Sequence, residues 1–118
     1  MNLDRFTISL LIANPDAPGL DAAAASAMQD AHMGHLADLH DAGALLISGP
    51  VLGAPAQRLR GVSILGVEPE EAQRINERDP AICAGLYSIE TYAWLVPSRA
   101  MSFTPARFPR SMRDVSGD

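Results

Sequence analysis

The stretch His32-Met-Gly-His-Leu-Ala-Asp-Leu-His-Asp-Ala-Gly-Ala-Leu-Leu-Ile-Ser-Gly-Pro50 holds the end of a helix, its stop and a following strand. At 100° per residue from Met28, Ala31, His32, His35, Leu36 and Leu39 fall in one arc, with Asp30, Gly34, Asp38 and Asp41 opposite. His32 and His35 therefore face a core, and His40 falls at the edge of the arc, where solvent can reach it. Gly43 suits the left-handed conformation that ends a helix, and a histidine in the last turn complements the helix dipole. Leu45 to Val51 then reads as a strand, apolar on both sides except at Ser48 and closed by Gly49-Pro50.

Working back toward the N-terminus, Leu20 to Ala42 is rich in alanine, the residue that costs least in a helix. It is preceded by Asn14-Pro-Asp-Ala-Pro-Gly19, whose prolines and glycine make a turn. Before that, Phe6, Ile8, Leu10 and Ile12 alternate with Thr7, Ser9 and Leu11, the period of a strand with one face on a core. In the other direction, Gly53 to Leu59 is a loop carrying Arg58, and Arg60 to Val67 makes a third strand. Pro69-Glu70-Glu71 opens a second helix with proline and acids in its first turn, running to about Arg78. Asp79-Pro80 ends it, because a residue before proline is pushed out of the α region. Pro80 to Gly85 predicts one more helical turn, and Tyr87 to Val96 a fourth strand.

The order β-α-β-β-α-β is the ferredoxin-like pattern of the α+β class, a four-stranded antiparallel sheet with two helices on one face. Such a sheet leaves its second face bare, and a second copy is the most economical cover. The expected architecture is a dimeric α+β barrel formed by residues 1–97. Residues 98–118 lose the periodic pattern and predict an extension, either mobile or packed on a partner subunit. Its Phe103 and Phe108 favour the second, since a disordered tail gains little from aromatics.

Composition narrows the function. The chain of 118 residues is 47% apolar and 19% charged, which fits one globular domain. No apolar run approaches the ~20 residues of a membrane span. The N-terminus lacks a signal-peptide pattern, so a cytoplasmic location is expected. The single Cys83 rules out an intrachain disulfide and reads as a buried, inert thiol. All nine basic residues are arginine, which excludes Schiff-base chemistry on lysine. Residues 1–97 hold five arginines against twelve acids, and residues 98–118 four against two. An acidic body argues against a nucleic-acid partner.

An imidazole on an apolar helix face needs a polar partner, since an unpaired buried polar group costs about 1–3 kcal/mol. Asp79 is the candidate carboxylate for His32. Restrained by Pro80, it sits where the end of helix two can approach helix one. A carboxylate there fixes the imidazole tautomer and poises it for proton transfer. The competing reading has Asp79 capping the turn that follows and His32 bonded to a backbone carbonyl. Ser48 could donate to a ligand oxygen, and Arg58 and Arg60 could bind a substrate carboxylate, although solvated surface is the default for both arginines. Only His32 and His35 of the three histidines share a face, and no carboxylate sits four residues away among them, so no metal site is expected.

The helix histidine, a glycine eleven residues on, an apolar strand ending in Gly-Pro, an Asp-Pro after the second helix and a nearby glycine stand here as His32, Gly43, Gly49-Pro50, Asp79-Pro80 and Gly85. In order and spacing, over about residues 5–96, this resembles the YCII-related family of small dimeric α+β barrels. The resemblance implies His32 and Asp79 as the catalytic pair and selects His32 over His35. One member of the family is a dehydrochlorinase of a chlorinated, hydroxylated aromatic, and barrel relatives include muconolactone isomerase. The arginine that many members carry three residues before the histidine is Gln29 here, so an anion-binding arginine is missing from that place.

Together these readings lead to a small-molecule enzyme that uses a His-Asp acid/base pair for elimination or isomerisation of a small cyclic or aromatic compound, a lyase or isomerase without a cofactor. The alternative is a ligand-binding or interaction module that keeps the barrel without turnover.

Overall fold

A computed structural model describes residues 2–116. The elements in chain order are β1 (Leu3–Ala13), α1 (Ala22–Asp41), β2 (Leu45–Pro50), β3 (Leu59–Leu65), α2 (Pro69–Asn76), α3 (Pro80–Cys83), β4 (Tyr87–Pro97) and α4 (Met112–Ser116). The strands form one sheet in the order β2-β3-β1-β4, and all neighbours are antiparallel. This is the expected ferredoxin-like α+β arrangement.

Local chemistry sets the boundaries. α1 begins after Asp21, whose Oδ1 accepts the Ala24 N–H at 2.8 Å. Its end is set by Gly43, which adopts φ +85° and lets the Ala44 N–H reach back to the Leu39 carbonyl at 3.1 Å. Gly85, at φ +81°, ends α3 in the same way, with the Leu86 N–H on the Ala81 carbonyl. Both conformations are cheap only for glycine.

The core lies between the sheet and the helices. Leu45 and Leu65 are 1% and 0% exposed and pack with Ala72 and Ile75 of α2. Each leucine contributes about 1.5–3 kcal/mol by leaving water. Leu36 and Leu39 of α1 close the cluster, so α1 and α2 share one face of the sheet.

β1 turns its polar side to the helices. The Thr7 hydroxyl donates to the Val67 carbonyl at 2.6 Å, and Ser9 Oγ accepts from the Asn76 amide of α2 at 3.1 Å. Alternation then puts Phe6, Ile8 and Leu10 on the open face, where their cross-strand partners include Trp94, Tyr92, Ile64 and Val62. Ile47 and Tyr92 are each 51% exposed there.

The stretch after β4 runs back over its own chain. Phe103 meets Phe6 edge to face with ring centroids 5.5 Å apart. Phe108 packs against the core cluster, and Arg110 bridges to Asp38 and Asp41 of α1. Complementary charge and two partly buried rings explain why a segment without apolar periodicity is held. No helix among the described residues is long and apolar enough to cross a membrane.

Candidate active site

His32 sits midway along α1, and Asp79 fills the short link between α2 and α3. Their side chains are 12% and 3% exposed, and His32 Nδ1 lies 2.5 Å from Asp79 Oδ2. The other carboxylate oxygen, Oδ1, accepts the Ala81 N–H at 2.9 Å. Asp79 therefore caps α3 and holds His32 together, and the two readings of this residue are compatible. Its backbone, φ −59° and ψ 126°, lies outside the α region that a following proline disfavours.

If Asp79 is ionised its carboxylate can only accept, and the proton of the His32–Asp79 bond then rides on Nδ1. The lone pair of the neutral ring is then on Nε2, and His32 lines a cavity of about 520 Å³. Tyr87 opens β4 beside it, with ring centroids 6.1 Å apart. The cavity lies between α1 and the helix-facing side of the sheet, with apolar walls such as Leu11, Met33 and Ile89.

Two groups of polar residues on its lining come from β2 and β3. Ser48 of β2 lies opposite Ser63 of β3, and their hydroxyls are hydrogen-bonded at 2.8 Å. Arg60 is the extra residue of a bulge, since Leu11 pairs with Gly61 and Ile12 with Leu59. Bulges re-aim side chains beside functional sites. The Arg60 Nη2 donates to the Pro55 carbonyl at 2.7 Å, while its buried Nε has no partner. A buried donor without an acceptor is costly unless something else accepts from it. Arg58 is exposed and does not line the cavity.

The other histidines have separate partners. His35 Nε2 is 3.1 Å from the Ile75 carbonyl, an ordinary helix-to-helix tie. His40, expected at the solvated edge, instead bonds the Leu45 carbonyl through Nδ1 at 2.7 Å and stacks on Phe108 with centroids 4.0 Å apart. Ala31, expected in the buried arc, is exposed. Cys83, expected to be buried, is exposed as well, its thiol donating to the Glu77 carbonyl at 3.3 Å. Gln29 lines the cavity.

Sequence reasoning missed Tyr87, Asn76, Ser63 and the tail residues Phe108 and Met112 on the cavity lining. The bulge at Arg60 left no signal in the sequence. The only hint for the tail was its pair of phenylalanines.

Comparison with known proteins places these features in context. The YCII-related domain matches residues 8–93. No curated protein matches. Six chains of solved structures do. One is the 5-chloro-2-hydroxyhydroquinone dehydrochlorinase TftG from Burkholderia phenoliruptrix AC1100, in complex with 2,5-dihydroxybenzoquinone. It shares 21% identity over 75% of this chain and 92% of its own, with a TM-score of 0.56, a likeness of fold.

Proposed function

Because this chain belongs to the YCII-related domain family, we propose that it is an enzyme acting on a small cyclic or aromatic molecule through His32 and Asp79. The observation that carries this reading is the 2.5 Å His32–Asp79 contact at a largely apolar cavity. His32 Nε2 takes a proton from a ring carbon or hydroxyl, and the ionised Asp79 stabilises the imidazolium that results. The electron pair left behind forms the new double bond. In an elimination it expels a leaving group such as chloride, and the imidazolium later returns its proton to solvent. In an isomerisation the imidazolium returns the proton at another carbon. Either reaction balances without a cofactor. Arg60 Nε and the Ser48 hydroxyl are the groups we assign to a substrate oxygen. Arg58 would reach only a substrate still outside the cavity.

The test is chloride release from 5-chloro-2-hydroxyhydroquinone, the substrate named for the structural neighbour. Turnover should fall about 10²- to 10⁴-fold in His32→Gln. Equal turnover in that variant would remove His32 from the chemistry. Binding of the compound without turnover in the wild type would favour the ligand-binding module instead.

The same reading extends to assembly. Phe6, Ile8, Leu10 and Ile64 share the open sheet face with the half-exposed Ile47 and Tyr92, and we propose that a second copy covers it. An exposed free thiol at Cys83 fits the reducing cytoplasm.

A further inference from the structure

Nothing in the proton transfer above requires the chain beyond β4. Yet Phe108, Pro109, Met112 and Val115 form one side of the same cavity. Two kinds of anchor hold them. The inner one is apolar: Phe108 stacks on His40 at an interplanar angle of 12° and packs against the Leu45–Leu65 cluster. The outer one is polar and exposed. Arg110 reaches Asp38 at 2.8 Å and Asp41 at 2.7 Å, and the Met112 N–H donates to Asp30 at 2.9 Å. These three aspartates are the polar row of α1, and the tail brings the opposite charge.

The anchors differ in what releases them. Stacked, packed rings respond little to salt, whereas ion pairs in water are screened and reversible. The outer half of the tail can therefore lift while Phe108 stays in place.

We infer that residues 109–116 are a lid over the cavity, clasped by Arg110 on Asp38 and Asp41, and that Met112 and Val115 select a ligand with an apolar part. The ligand class is a small molecule with hydrogen-bonding groups toward His32, Ser48 and Arg60 and an apolar edge toward Met112 and Val115, without a charge to bury under the lid. The inference rests on the proposed function only in assuming that the ligand occupies this cavity. It does not require turnover.

The experiment uses the full chain with [methyl-¹³C]methionine and 4-methylphenol as the probe. Met33 on α1 and Met112 in the lid both line the cavity, so both methyl signals should shift with a single Kd. Arg110→Gln should weaken binding about threefold and speed exchange, and about 0.5 M sodium chloride should do the same to the wild type but not to the variant. Truncation after Ala106 removes the roof, and the Met33 shift should then need about tenfold more probe. If the truncated chain does not fold, Arg110→Gln and Met112→Ser decide the question. Unchanged affinity and exchange in Arg110→Gln, a Met33 shift without a Met112 shift, or no shift in either methyl would each overturn the lid. Its failure is separable from that of the proposed function. Turnover that depends on His32 with lid variants that change nothing would sink only the lid, and lid effects with His32-independent turnover would sink only the acid/base reading.

Discussion

Replacing Asp79 separates its two duties, because each carboxylate oxygen has its own partner. In Asp79→Asn the side-chain oxygen can still accept the Ala81 N–H, so the cap on α3 survives. The amide would present N–H to His32 Nδ1 in place of an acceptor. The ring then moves its proton to Nε2, and the lone pair that faces the cavity is lost. The variant should fold nearly as well as the wild type but lose about 10²- to 10⁴-fold in rate. Asp79→Ala removes both bonds. Losing the cap costs about 1 kcal/mol and the charge-assisted bond to His32 about 1.5–3 kcal/mol, which gives about 2.5–4 kcal/mol at a site 3% exposed. Urea denaturation measures the stabilities, and imidazole ¹⁵N shifts report which nitrogen of His32 carries the proton. If the asparagine variant keeps the proton on Nδ1, Asp79 does not orient His32, and if the alanine variant loses less than about 1 kcal/mol, it does not anchor it.

Three further outcomes follow from the fold. Leu65→Ala, at a position with no exposed surface, should cost about 2–5 kcal/mol in urea denaturation. Gly43→Ala meets no atom within 4 Å, so its cost is the left-handed backbone alone, about 1–2 kcal/mol by the same measurement. Tyr92 donates its hydroxyl to Glu90 at 2.7 Å, and that bond raises its pKa above the ordinary value. A raised folded-state pKa means that the bond's contribution is present below the ordinary tyrosine pKa of about 10 and is lost as pH rises through the higher value. Ultraviolet titration should show the Tyr92 step move down in Glu90→Gln. A step that stays put would mean the bond does not form in solution.

Much of the fold was legible because its punctuation is local. Gly43 and Gly85 must be glycine for their φ values, Asp79-Pro80 breaks the chain where it must, and alternation marks β1 and β4. The contact of His32 with Asp79 was only half legible: an imidazole on an apolar helix face demands a partner, but the residues alone left Asp79 as a possible cap and His35 on the same face, and it was the resemblance that singled out this pair. Other features depend on distant parts of the chain. The environment of His40 is set by Phe108, and the aim of Arg60 by a bulge opposite β1. Neither is encoded in the neighbouring residues.

The polarity of β1 ties the cavity to the expected assembly. Thr7 and Ser9 face the helices, and each spends its hydroxyl on α2 or the link before it. Small side chains on that side, continued by Ser63 and Gly61 on β3, leave unfilled space between sheet and α1 where larger residues would have closed it. The apolar residues of the same strand are thereby turned to the open face, so a hydrophobic strand contributes little to the core of the single chain. Its central packed cluster is correspondingly small, four buried residues among those described with a fringe that includes Phe108 of the tail. A chain that keeps a cavity inside must find its remaining apolar burial elsewhere, and the open face is where Phe6, Ile8 and Leu10 offer it. Trp94→Asp, opposite Phe6 on that face, should therefore give a monomer in sedimentation at concentrations where the wild type pairs, with lower stability. A variant that pairs as well as the wild type would place the contact on another surface.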